Sequence, residues 1–121
     1  MSGPVAAASV AAWNDEEHVR ANRAEYAAKF TKLQPELAAT LPCAMPEAAF
    51  YLWAQTPIDE TQFARWLLAE ENVAVLPGSF VARDANGFNP GHRRIRLALV
   101  ATQAECSEAI GRLVAFTRRL T

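Results

Sequence analysis

Cysteine, histidine and net charge are all scarce in this chain of 121 residues. Cys43 and Cys106 stand far apart with no second Cys or His at ligand spacing, and His18 and His92 are likewise isolated, so we expect neither a zinc site nor a disulfide framework. The 12 Lys and Arg residues almost balance the 13 Asp and Glu residues. This balance gives no long-range attraction for a polyanion. We therefore expect neither a nucleic acid nor a membrane as a partner.

Targeting and membrane-spanning segments are missing as well. Residues 1–10 have no charged start and no apolar stretch long enough for export. No other run approaches the roughly 20 apolar residues that cross a bilayer. Hydrophobic residues make up 51% of the chain and charged residues 21%, which is typical of one globular domain. The sequence predicts a cytoplasmic protein.

Two helices are predicted near the amino terminus. Residues 5–13 (VAAASVAAW) are apolar almost all round, which predicts a helix that needs neighbours on several sides. Asn14 and Asp15 offer a cap for a second helix, and Glu17, three residues after Asn14, fits a capping box. Pro35 is expected to kink or restart this helix. The apolar stripe of this second helix has helical spacing and comprises Val19, Tyr26, Phe30, Leu33 and Leu37.

Three short strands are predicted farther along the chain. Residues 50–54 (FYLWA) are so rich in aromatic side chains that we expect a strand buried on both faces. A second strand is predicted at 73–76 and a third at 95–100. Residues 82–93 lie between them and contain strong turn signals, so they are predicted to form a long loop.

Two more helices follow from capping patterns. Asp59 with Gln62 begins one helix, and Thr102 with Glu105 begins the last. The expected inner face of the first consists of Phe63, Trp66 and Leu67. The alternation of helices and strands predicts an α+β fold with two layers, in which a small mixed sheet of about three strands packs against helices.

Arg96 is the one residue that does not fit its predicted surroundings. Side chains alternate across a strand, so Arg96 shares a side with Ala98 and Val100 in a strand that becomes apolar on both faces. A guanidinium group cannot lose its proton, so burial requires an anionic partner or a wet cleft. An unpaired buried charge costs about 3–5 kcal/mol.

Two kinds of partner satisfy that requirement. An Asp or Glu of the same chain would make Arg96 structural, whereas the carboxylate or phosphate of a ligand would make it functional. The neighbours His92, Arg93 and Arg94 also allow a nucleic-acid patch, but the chain as a whole is not basic. Arg93 and Arg94 stand at the strand entrance, where we expect them to be solvated.

Four segments, in order, resemble the carboxyl-terminal part of class I/II, fold type I aminotransferases that depend on pyridoxal 5'-phosphate. These segments are residues 11–30, FYLW at 50–53, NVAVLPGSF at 72–80 and GFNPGHRRIRLALVA at 87–101. The branch that they resemble most is succinyldiaminopimelate transaminase, of lysine biosynthesis. The resemblance implies that residues 15–121 are the small domain of such an enzyme and that the apolar residues 1–14 belong to the linker or large-domain side.

The resemblance also implies site residues and partners. Arg96 matches the arginine that binds the substrate α-carboxylate, and Pro77, Gly78 and Ser79 match a turn near the active site. The cofactor pyridoxal phosphate would be held by a large domain that precedes this segment. The implied partners are that large domain, an amino or keto acid substrate, and a second subunit in a homodimer.

The sequence departs from the family pattern at decisive positions. The lysine that carries the cofactor, in a Ser-Lys context, is absent, because Lys29 and Lys32 are the only lysines and lie in a helix where we expect both on the solvent face. Ala48 and Ala49 stand where glycine is usual before the first strand. We therefore expect no catalytic residue in this chain and no activity of the chain alone.

Two alternatives remain open at this point. A stand-alone domain would use Arg96 to bind a small carboxylate without a cofactor. An interaction module would dock a partner chain through residues 5–13.

Overall fold

The computed structural model describes residues 2–120, so Met1 and Thr121 of the two predicted domain ranges lie outside the described residues. The helices and strands follow the predicted order, and the α+β fold is confirmed. The elements are α1 (Gly3–Asn14), α2 (Glu16–Ala38), β1 (Tyr51–Gln55), α3 (Glu60–Glu71), β2 (Leu76–Pro77), a 3-10 turn (Gly78–Phe80), β3 (Arg94–Ala98) and α4 (Gln103–Leu120).

The sheet has the strand order β1-β3-β2, with β3 in the centre. Both strand pairs are antiparallel, and Arg96 stands opposite Trp53 on β1 and Leu76 on β2. A mixed sheet contains at least one parallel pair of neighbouring strands. The expectation of a mixed sheet was wrong, because β1 and β2, which run in the same direction, are separated by β3. β2 is also shorter than predicted, since only Leu76 and Pro77 pair with β3.

The two faces of the sheet differ in burial. Leu52, Ala54, Ile95 and Leu97 are buried on the face that the core covers. The opposite side is called the open face here, and it carries Tyr51, Trp53, Gln55, Arg94, Arg96 and Ala98, none of which is fully buried. The expectation that the first strand is buried on both faces was therefore wrong. Its aromatic residues Tyr51 and Trp53 are only half-buried on the open face.

The core lies between the covered face of the sheet and helices α2, α3 and α4. Phe63 of α3 and Phe116 of α4 pack edge to face at its centre, with their ring centroids 5.2 Å apart. The prediction that Phe63 and Leu67 lie on the inner face of α3 is confirmed. Trp66 is 41% exposed, because the buried residues of α3 lie on a different side of the helix.

Helix caps agree with the local sequence patterns to within one residue. The carboxylate of Asp59 accepts hydrogen bonds from the backbone N–H groups of Thr61 and Gln62, both at 3.0 Å. Thr102 and Glu105 bond reciprocally at the start of α4. At the start of α2, Asp15 is the one of the two candidate capping residues that caps the helix.

Helix α1 is exposed along its length in the described structure. None of its residues is buried, and Trp13 is 84% exposed. The neighbours that its apolar composition predicts are therefore not supplied by the described chain. Farther on, Pro35 does not end α2, which continues to Ala38.

Lys29 contradicts the expectation of a solvated lysine. Its side chain is buried, and Nζ donates hydrogen bonds to the carbonyl oxygens of Leu99 at 2.9 Å and Ala101 at 2.6 Å. These carbonyls follow β3, where the sheet ladder no longer uses them, so Lys29 ties α2 to the end of β3. Lys32 is exposed, as predicted.

Ala49 adopts a backbone conformation that disfavours alanine. Its φ is +77°, in the left-handed region, where a Cβ costs roughly 1–2 kcal/mol. Glycine carries no such cost. Ala49 is thus a local source of strain two residues before β1.

We expect Ala49→Gly to raise the free energy of unfolding by about 0.5–1 kcal/mol, since relief of the left-handed strain exceeds the entropy cost of glycine in the unfolded chain. Denaturant titration of both proteins measures the difference. Ala48→Gly is the matched control, because Ala48 is not among the described residues with positive φ. A loss of stability in Ala49→Gly as large as in the control would contradict this explanation.

Candidate active-site face

Arg96 lies at the centre of the open face. It is half-buried, and its guanidinium carbon is 5.2 Å from the centroid of the Tyr51 ring. Within residues 2–120 this ring contact is its one polar or electrostatic partner, and no Asp or Glu pairs with it. Its burial is less complete than predicted, because Ala98 and Val100 on the same side are exposed. Of the two partners considered above, a carboxylate of the same chain is excluded among the described residues.

The predicted turn residues lie beside the same strand. Pro77 pairs with Ile95 of β3, and Pro77 and Gly78 are buried while Ser79 is half-buried. Gly78 and Gly91 touch backbone to backbone: a Cβ on Gly91 would lie 2.2 Å from the Gly78 carbonyl oxygen. Only glycine allows so close an approach. The structure therefore brings the Pro77–Ser79 turn and the entrance of β3 together.

Glu60 fixes this junction, a role that the sequence pattern does not predict. Its buried carboxylate accepts a 2.7 Å hydrogen bond from the backbone N–H of Arg93 and lies 3.6 Å from Nδ1 of His92. Arg93 has a φ of +52°, so the bond stabilises a left-handed residue directly before β3. Nothing in the capping pattern around Glu60 indicates that its side chain reaches a loop far along the chain.

The pKa of Glu60 lies below its ordinary value. Burial opposes ionisation, but hydrogen bonds from the Ser79 hydroxyl, its own backbone N–H and the Arg93 N–H outweigh that effect. The ionised carboxylate thus joins the amino-terminal end of α3, the Ser79 turn and the entrance of β3.

The same carboxylate belongs to a cluster with metal-type ligand atoms. Asp59, Glu60 and His92 bring one such atom each within 4.8 Å of one another. Asp59 and His92 are exposed, and the oxygens of Glu60 are already used by hydrogen-bond donors. We interpret the cluster as a hydrogen-bonded junction.

The described residues do not fit the role of holding pyridoxal phosphate. Nζ of Lys29 is buried and bonded to two carbonyl oxygens, and Lys32 is exposed on α2. Neither amine therefore stands free in a cleft where a cofactor aldehyde would reach it.

None of the helices within residues 2–120 combines the length and the apolar character that a membrane-spanning segment requires.

Glu60→Gln should lower the free energy of unfolding at pH 7 by about 1–3 kcal/mol, because a buried charged acceptor is lost. A carboxylate with a lowered pKa in the folded state stabilises the protein above its unfolded-state pKa, near 4.3, and this contribution is lost as the pH falls through the folded-state value. The difference in the free energy of unfolding between the wild type and Glu60→Gln should therefore shrink between pH 7 and pH 3 in denaturant titrations. Glu36→Gln, at an exposed position of α2, serves as control. A gap that is constant with pH would contradict the assignment.

Comparison with known proteins gives one consistent result. The profile of the family described as aminotransferase class I and II matches residues 1–113. A probable aminotransferase of Mycobacterium tuberculosis is 37% identical over 115 residues, which cover 93% of this chain and 26% of that protein.

Solved structures are similar over most of the chain. An aminotransferase from Neisseria meningitidis superposes with a TM-score of 0.92 at 44% identity, covering 98% of this chain and 30% of that chain. A probable N-succinyldiaminopimelate aminotransferase from Thermus thermophilus superposes with a TM-score of 0.70 at 30% identity, over 84% of this chain and 26% of that chain. The chain spans about a quarter to a third of the length of these relatives. With the profile match covering residues 1–113, the chain belongs to the class I and II aminotransferase family.

Proposed function

We propose that this chain is the part of a pyridoxal-phosphate-dependent aminotransferase that binds the substrate α-carboxylate, and that Arg96 is the residue that binds it. The observation that carries the proposal is a half-buried guanidinium with no acidic partner among the described residues. A charge in that position is stabilised by an anion from outside the chain.

The surroundings of Arg96 suit a planar carboxylate. The Tyr51 ring flanks the guanidinium on one side, which restricts its orientation while leaving the hydrogen-bonding fork available. Arginine bonds a carboxylate through two parallel N–H groups, which fixes direction as well as position. Orientation of this kind contributes several kcal/mol to lowering a reaction barrier.

The rest of the enzyme would come from sequence beyond this segment. Residues 15–121 would form the small domain, and residues 1–14 would pack on the linker or large-domain side. The exposure of α1, with Trp13 84% exposed, supports a neighbour outside the described chain. That large domain would provide the lysine and hold the cofactor, and the complete enzyme would act as a homodimer.

The proposed branch is succinyldiaminopimelate transaminase, in lysine biosynthesis. The similarity to the Thermus thermophilus structure, which bears the name of an N-succinyldiaminopimelate aminotransferase, supports this branch. The amino and keto acids of that reaction carry the α-carboxylate that Arg96 would bind.

Arg96→Lys in the longer enzyme should reduce kcat/KM for amino acid substrates by tenfold or more, because lysine keeps the charge but loses the planar fork. Steady-state kinetics measure the change. Arg118→Lys is the control, since Arg118 is exposed on α4. A kcat/KM within about twofold of wild type would refute the role of Arg96.

The chain alone should not transaminate or bind the cofactor covalently. We expect pyridoxal phosphate, followed by borohydride, to give no stoichiometric adduct at a single lysine, because the amine of Lys29 is engaged and Lys32 lacks a pocket. Peptide mass spectrometry locates any adduct. One fully modified lysine would contradict the proposal that the large domain provides the lysine that binds the cofactor.

A further inference from the structure

Asn86 and Gly87 form the tip of a small hairpin in the loop before β3. Ala85 and Phe88 exchange both of their backbone hydrogen bonds, at N–O distances of 2.9 Å and 3.0 Å. The φ angles of Asn86 and Gly87 are +53° and +77°, and a two-residue hairpin turn of this kind requires positive values at both positions. Both residues are exposed, so water reaches the peptide bond between them.

Two reactive groups meet at this peptide bond. Among residues 2–120, no hydrogen bond holds the side-chain amide of Asn86 or the backbone N–H of Gly87. When the backbone nitrogen that follows an asparagine bonds to the amide carbon of that side chain, a five-membered ring closes. Glycine favours this attack, because no side chain crowds its nitrogen. Asparagine is accordingly one of the thermolabile residues of proteins.

Three of the other four asparagines lack a free nitrogen at the next residue. Asn89 precedes Pro90, whose nitrogen carries no proton. Asn22 lies inside helix α2, where the next backbone N–H is held in the helix. Asn14 precedes Asp15, whose backbone N–H is bonded to a carbonyl oxygen of α1. These three positions are therefore protected.

Asn72 is the asparagine that most resembles Asn86. It is exposed, and its φ of +54° is almost the same as that of Asn86. The difference lies in the next residue, because Val73 is β-branched and its side chain crowds its own nitrogen. Asn72 is thus a matched internal control for the effect of Gly87.

We propose that Asn86 is a site of spontaneous deamidation, with the backbone nitrogen of Gly87 as the nucleophile. The exposed hairpin tip opens locally at little cost in free energy. The Gly87 nitrogen then gives up its proton and bonds to Cγ of Asn86, and the side-chain nitrogen takes up a proton and leaves as ammonia. Water opens the resulting succinimide. Cleavage at Cγ yields aspartate, and cleavage at the backbone carbonyl carbon yields isoaspartate, in which the main chain runs through the former side chain.

The modification changes the wall of two clefts. Isoaspartate adds a carbon atom to the main chain between Ala85 and Phe88, so their reciprocal hydrogen bonds no longer fit. Phe88 lines a cleft of about 400 Å³ together with Gly87, and a cleft of about 600 Å³ together with Trp53 and Arg94. Both products also place a new negative charge two residues from Phe88. This inference is independent of the role proposed for Arg96.

The test ages the 121-residue chain at neutral pH and physiological temperature. Two-dimensional NMR first shows that the chain and its variants Asn86→Gln and Gly87→Ala are folded. Peptide mass spectrometry then follows deamidation at Asn86 and Asn72 in the same samples. Isoaspartate is measured by methyl transfer from S-adenosylmethionine with a carboxyl methyltransferase that is specific for that residue.

We expect Asn86 to deamidate roughly tenfold or more faster than Asn72. Gly87→Ala should slow the reaction at Asn86 by about tenfold, because a Cβ fits the open space around Gly87 but hinders its nitrogen. Asn86→Gln should remove the product at this position, since glutamine requires a larger ring. In the aged chain, the amide signals of Ala85 and Phe88 should shift while those of the core residue Phe63 stay in place.

Three results would overturn the inference. Deamidation of Asn86 no faster than that of Asn72 would show that the Asn-Gly turn is not a reactive site. An unchanged rate in Gly87→Ala, or aspartate without isoaspartate as the product, would exclude the Gly87 nitrogen as the nucleophile. Signals of Ala85 and Phe88 that stay in place in fully deamidated protein would exclude the effect on the cleft walls.

Discussion

One constraint governs the open face of the sheet: the guanidinium of Arg96, which cannot lose its proton, is half-buried and has no carboxylate partner among the described residues. Strand β3 lies between β1 and β2, so Arg96 has a strand neighbour on each side, Trp53 and Leu76. The Tyr51 ring beside it provides only a weak electrostatic contact, and it is not a hydrogen-bond acceptor as strong as a carboxylate. The charge is therefore left available for an anion from outside the chain.

The surrounding structure holds the ends of β3 in place. At its entrance, the buried carboxylate of Glu60 binds the backbone N–H of Arg93, and Gly78 and Gly91 pack backbone to backbone. At its exit, Lys29 binds two carbonyl oxygens. The Glu60 contact and the Lys29 contacts use buried charged side chains, and each links segments that are distant in sequence. The covered face of the sheet adds the hydrophobic core, so β3 is fixed from three directions while its open face remains accessible.

Local features of the fold could be predicted from the sequence, and long-range contacts could not. The caps at Asp59 and Thr102 follow from interactions within three residues, and the buried positions of Leu33 and Leu37 in α2 follow from helical periodicity. The sequence predicts a solvated Lys29, because nothing near it in the chain indicates its two acceptors, which lie 70 and 72 positions away. The aromatic residues Tyr51 and Trp53 indicated a doubly buried strand, whereas they line the open face. Arg96 is predicted from its chemistry, since arginine is conspicuous in an apolar strand, but the partners of Glu60 are brought together only by the fold.

The central claim is that Arg96 binds a carboxylate from outside the chain. The most direct measurement is an NMR titration of the arginine Nε–Hε signals with acetate, with the Arg96 signal assigned by its loss in Arg96→Lys. We expect a saturable downfield shift of the Arg96 signal, because a new charge-assisted hydrogen bond forms there. An Arg96 signal that does not move, or that moves no more than that of exposed Arg118, would contradict it.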